Sequence, residues 1–235
     1  MRIILLGVLL EVKTMIVDTM TLEEVGEAIL KASNKSINRI ERLLTWKDKD
    51  YKKIIIKGQK ERFDFLPIPF ENDGIKFYIC PYSKGKKDYK KYGIMYGLFA
   101  HVFYHGTNWY CMITADYVNV IMFCNHFFER YIERFLKDDS VVNVEMARKF
   151  FKETDYLYIN RPIENPKHPN CVYASMNIGI ACGEIVSKHV TAYKTFLCKD
   201  TLTIGNKRKT YDEGQKAFET TITNDWGLRE IKGVA

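Results

Sequence analysis

His126, Arg130 and Arg134 recur every four residues in the stretch VNVIMFCNHFFERYIERFL, residues 118–136. On a helix that spacing stacks one imidazole and two guanidinium groups along a single face, while Phe127, Tyr131 and Phe135 stack on the face beside it. Two fork-shaped cations and a titratable ring at a helix opening, where backbone N–H groups already attract anions, describe a phosphate site. The same letters also describe a solvated face laced by ion pairs. Arg130 and Glu133 are three apart, and His126 then merely helps to cap the helix.

A second concentration of cations is SKGKKDYKKYG, residues 83–93. Lys86, Lys87, Lys90 and Lys91 surround Tyr89, and Lys84 and Tyr92 flank them. Cations interleaved with tyrosines suit a single-stranded nucleic acid, whose phosphates need countercharge and whose bases stack; a solvated hairpin tip has the same composition. Late in the chain, HVTAYKTFL alternates so that His189, Thr191, Tyr193 and Thr195 share one strand face. That face is either the floor of a cleft or the wet side of an ordinary sheet. His101 and His105 lie too far apart along a strand to chelate one ion easily, so a metal site built on them and His126 is a distant third reading.

The elements that must position these groups follow from pattern. VNVIMFC is short, β-branched and aromatic, a buried strand bounded by Asp116 and Asn125, with Asn125 the expected N-cap of the following helix. Thr21-Leu22-Glu23-Glu24 is a capping box, opening an amphipathic unit that breaks at Ser33-Asn34-Lys35-Ser36 into two helices or one kinked helix. Its outer face is basic, and it reads as a packing element. From Tyr51 onward the pattern becomes β, with strand candidates at 54–57 and 75–80 and a meander over 94–124 turning at 105–108 and 115–117. Ser140 is expected to open a second central helix. Residues 172–180 then alternate as one strand.

Composition limits the classes. The chain of 235 residues is 46% apolar and 14% aromatic, which excludes a disordered protein because there is ample surface to bury. Its formal charge of +7 fits a phosphate-bearing partner. Cys80, Cys111, Cys124, Cys171, Cys182 and Cys198 stand singly without a C-x-x-C pair, as expected of reduced thiols in a cytoplasmic protein with no bound zinc. MRIILLGVLL is too short to span a membrane and lacks a cleavage pattern; it reads as a first strand or as leader upstream of a later start at Met15 or Met20.

The run HFFERYIERF, followed by a second helix and strands ending in YKTFL, resembles the small bacterial domains with an H-A-x-x-R-x-x-x-R helix start. These are placed near the barnase–EndoU–colicin–RelE endoribonuclease-like fold. The resemblance spans residues 118–198, with Phe127 where alanine is usual and some hundred residues ahead of the motif. It implies helices on a twisted antiparallel sheet and RNA cleavage without metal. His126 would then be a general acid or base, Arg130 and Arg134 phosphate clamps, and Thr195 the late-strand threonine. His189 or Tyr193 would be the second proton carrier. Histidine, with an ordinary pKa of about 6.5, can serve either proton-transfer role near neutral pH.

The expectation is an α+β fold: a twisted antiparallel sheet of about six or seven strands, two central helices packed on it and an N-terminal helical unit. Residues 1–50 form the extension, 51–200 the core and 201–235 a polar tail. The expected function is that of a metal-independent endoribonuclease-like protein acting on RNA, without cofactor. The alternative is a non-catalytic module of a phage or mobile element that binds nucleic acid or a protein partner.

Overall fold

Thr21 opens the first helix in the way its sequence requires. Its hydroxyl accepts from the Glu24 backbone N–H at 3.2 Å, and the Glu24 carboxylate accepts from the Thr21 N–H at 2.7 Å. Helix α1, Leu22–Lys35, runs into α2, Ile37–Lys57, at Ser36, the expected break. These elements belong to a computed structural model that describes residues 16–154, 159–162, 169–202, 208–209, 211–213 and 215–216. The first-strand expectation for residues 1–10 lies outside them, as does most of the expected tail.

The fold is α+β, but its sheet is mixed. Strands β1 (Phe63–Asp64) and β2 (Ile68–Asn72) share one flank of β3 (Ile75–Ser83), and β4 (Met95–Tyr104), β5 (Thr107–Ile113) and β6 (Val120–Cys124) complete an antiparallel meander. Strands β7 (Ile159–Pro162), β8 (Cys171–Met176), β9 (Gly179–Ser187) and β10 (Val190–Cys198) form a second meander. The two join where β10 runs parallel to β6, with Val190 opposite Val120 and Tyr193 opposite Phe123. Of the elements not yet placed, α3 spans Lys86–Tyr92, α4 Asn125–Tyr131 and α5 Val144–Glu153.

That central pair is buried on both faces, which explains the unbroken apolar run in β6. Gly26 of α1 lies against Val120 and Val190; a Cβ there would stand 2.5 Å from a Val190 methyl, so the missing side chain permits the approach. On the opposite face α4 and α5 pack on Phe123, whose ring centroid is 4.9 Å from that of Phe127 and 5.5 Å from that of Phe151. The helix leading into each meander therefore covers a different face, α1 one and α5 the other.

Several local expectations are corrected. Ile54–Lys57 is the last turn of α2, not a strand: Ile55 is buried beside Tyr51 and Phe63, and that contact overrides β-branched propensity. The basic loop is the short helix α3. Residues 172–180 are two strands turning at Asn177 and Ile178. The second central helix is capped by Asn143, which accepts from the Met146 N–H at 2.9 Å, rather than by Ser140. Asn125 does not cap α4; its amide donates to Glu129 at 2.7 Å.

Strand β10 carries the correction with the largest consequence. Tyr193 pairs with Gly183 but Thr195 pairs with Cys182, so Lys194 is an extra residue in a bulge and side-chain parity changes there. Tyr193 and Phe196 consequently share the helix-covered face. Phe196 meets Phe127 and Tyr131, while Tyr193 meets Phe123. Lys194 points outward to Glu184 at 2.7 Å. A Cβ on Gly183 would fall 1.9 Å from the Ala192 carbonyl oxygen, so the bulged pairing admits no side chain at that position.

Candidate functional site

Helix α4 and the π turn that continues it over Ile132–Leu136 do align His126, Arg130 and Arg134 along the chain, but carboxylates and backbone occupy them. His126 Nδ1 lies 3.2 Å from Glu129 Oε2, and Arg130 Nε donates to His126 Nε2 at 3.4 Å. This network assigns the Nδ1–H tautomer and engages the other ring nitrogen. Arg130 also donates through Nη1 to Glu133, and Arg134 Nη1 donates to the Phe196 carbonyl at 2.6 Å. The face is the ion-paired one, with the His126 side chain 51% exposed.

The proposed partners of His126 are not beside it. His189 precedes β10, and its carbonyl accepts from the Val120 N–H at the start of β6, whereas His126 follows the end of that strand. Five strand residues separate the two ends, roughly 16 Å at ~3.3 Å per residue. His189 Nδ1 is buried and has no hydrogen-bond partner among the described residues. Tyr193 is fully buried against Phe123, and burial, then the neighbouring Cys182, pushes its hydroxyl pKa up. It cannot reach a substrate as a proton carrier. Thr195 faces the side of the sheet opposite α4, because the bulge puts Phe196 on the α4 side.

The other histidines are engaged separately. His101 Nε2 is 3.0 Å from Asn108 Oδ1 and its ring stacks on Tyr110. His105 sits in the β4–β5 turn, its N–H donating to Asp18. Among the described residues no three His, Cys, Asp or Glu side chains are grouped to hold a metal ion. Cys80, Cys111, Cys124 and Cys198 are buried.

The strongest electrostatic feature is the pair α2 and α3. Tyr89 turns inward and its hydroxyl donates to both oxygens of Asp48, at 2.9 and 3.1 Å, fastening α3 to α2. Burial, the hydrogen bond and the Asp48 charge push its pKa up to about 12. Tyr89 is therefore an anchor and not a stacking platform, which corrects its expected role. Lys86, Lys87, Lys90 and Lys91 remain on the exposed side of α3 with Tyr92, which is 58% exposed.

Helix α2 carries basic residues of its own. Its inner side buries Ile40, Tyr51 and Ile55, and its outer side exposes Arg42, Trp46, Lys49, Lys52, Lys53 and Lys57. Residues 47–60 and 84–92 together hold eleven lysines against three aspartates, a local excess of +8 where the whole chain carries +7. Outside these two segments the charges nearly cancel. One of the three aspartates, Asp48, is already held by Tyr89. The α2 stripe is missed when the helix is taken to end near residue 50; the signal for it was the four-residue recurrence of Lys49, Lys53 and Lys57.

No described helix is long and apolar enough to cross a membrane. Compared with known proteins, the chain matches no family model, no curated protein and no solved structure.

Proposed function

We propose that this protein is a non-catalytic nucleic-acid-binding module that grips the phosphate backbone with the outer side of α2 and with α3. The observation that carries this reading is the charge placement: a local excess of +8 over residues 47–60 and 84–92 against +7 for the whole chain. A polyanion held there releases its condensed counterions, which supplies sequence-independent affinity. The anchoring of α3 by Tyr89 to Asp48 supports the reading, because it presents both sets of lysines from one rigid unit.

Metal-independent RNA cleavage at His126 remains as a second reading, favoured by the exposed ring and its Arg130 neighbour. Against it stand the carboxylates on both residues, the burial of Tyr193 and the distance to His189.

Incubating the purified chain with a labelled mixed-sequence RNA in EDTA separates the two readings. The module reading predicts salt-sensitive binding with the RNA left intact. His126→Ala should bind as the parent does and change stability by less than about 0.5 kcal/mol, as an exposed ion-paired position does. Cleavage that His126→Ala abolishes establishes the second reading instead.

A further inference from the structure

Trp46 is 72% exposed at the crest of α2, with nothing in the fold requiring an indole there. Helical spacing surrounds it with cations: Arg42 four residues before, Lys49 three after and Lys53 seven after, with Asp50 the one acid in the stripe. The Lys47 ammonium lies over the ring, 4.3 Å from its centroid, and steadies it. On α3, Tyr92 repeats the pattern, exposed and with the Lys91 ammonium 5.0 Å from its ring centroid.

We propose that Trp46, assisted by Tyr92, is a base-stacking platform and that the ligand of the α2–α3 surface is single-stranded nucleic acid. This rests on the binding module proposed above and specifies its substrate. In a duplex the base faces are covered by their neighbours, so an exposed indole amid cations gains little beyond charge. In a single strand each base offers a free face, and stacking it on an aromatic ring adds affinity with little regard to sequence. Charge complementarity and the exposed rings select the same ligand.

An anionic membrane surface would also meet cations and a tryptophan. A helix lying in a membrane interface segregates an apolar face from its charged one. Here the exposed apolar residues are dispersed. Taking Trp46 as the reference, Ile54 is displaced about 80° to one side and Ile56 about 80° to the other, with Lys49, Lys53 and Lys57 between them. The pattern fits a basic helix face that tracks a phosphate backbone, with a stacking ring, rather than insertion into lipid.

The test uses the full chain and three probes at equal salt: fluorescein-labelled dT20, a 20-base-pair duplex, and vesicles containing phosphatidylserine. The proposal predicts that dT20 binds at least tenfold more tightly than the duplex. It predicts that Trp46→Ala weakens dT20 binding roughly 5- to 150-fold, the span of one base–aromatic stack, while Trp46→Phe retains most of it and duplex binding does not move. Equal binding of both nucleic acids, unchanged in Trp46→Ala, overturns the stacking proposal and leaves the electrostatic module standing. Binding of neither nucleic acid overturns both. Vesicle binding that depends on Trp46, without nucleic-acid binding, assigns the surface to lipid and also overturns both.

Discussion

Replacing Lys86, Lys87, Lys90 and Lys91 together with alanine weakens binding of dT20 roughly 10²–10³-fold at 0.1 M salt. The magnitude follows from counterion release: each ammonium that neutralises one phosphate of a single strand adds about 0.7 to the logarithmic salt slope, so four add about 2.8. The fold should be untouched. All four side chains are exposed, α3 is held by Tyr89 and Asp48, and neither anchor is altered. Anisotropy titration of labelled dT20 reads the affinity and a thermal melt reads the fold. A loss below about threefold with an unchanged melt removes α3 from the interface. Because these lysines lie outside the His126 face, the variant also separates the basic surface from the ribonuclease-like motif.

The second large effect is on stability. Phe123→Ala should destabilise the protein by about 3–5 kcal/mol, the usual loss for a buried aromatic truncated to alanine. Phe123 is fully buried where the aromatic side chains of α4 and α5 meet the central sheet. Its ring lies 4.9 Å from Phe127, 5.6 Å from Phe150, 5.5 Å from Phe151 and 5.4 Å from Tyr193, centroid to centroid. Removing it leaves a cavity walled by rings that are fixed on separate elements and so cannot all collapse inward. For a chain of this size the melting temperature falls by roughly 6–20 °C. A shift under 2 °C would mean that the two meanders are not held together at this point.

Some of this architecture could be read directly from local chemistry. The Thr21–Glu24 box needs only two side chains and their own backbone, and it is present as written. The meander of β4, β5 and β6 announces itself through apolar alternation and turn residues, and the continuous run of β6 follows from burial on both faces. What local pattern could not convey was long-range. Ile54–Lys57 is helical because Ile55 meets Tyr51 and Phe63. The parallel seam of β6 and β10 joins residues some seventy apart.

The expected grouping of Tyr193 and Thr195 beside His126 is absent for similarly specific reasons. Counting parity along HVTAYKTFL placed Tyr193 and Thr195 on one face and Phe196 on the other. The bulge at Lys194 breaks that count, burying Tyr193 in the aromatic core and turning Thr195 away from α4. Spacing by four did align His126 with Arg130, yet the same periodicity brought Glu129 and Glu133 within reach and satisfied both. Periodicity specifies which residues share a helix face; it does not specify whether that face is left open for a ligand.

The most direct measurement of the central claim is the affinity of the parent chain for dT20 as salt rises from 50 to 200 mM. With about six phosphates engaged across α2 and α3, the logarithmic slope should be about −4, a loss of several hundredfold over that range. A slope near zero, or no measurable binding at 50 mM salt, contradicts the account.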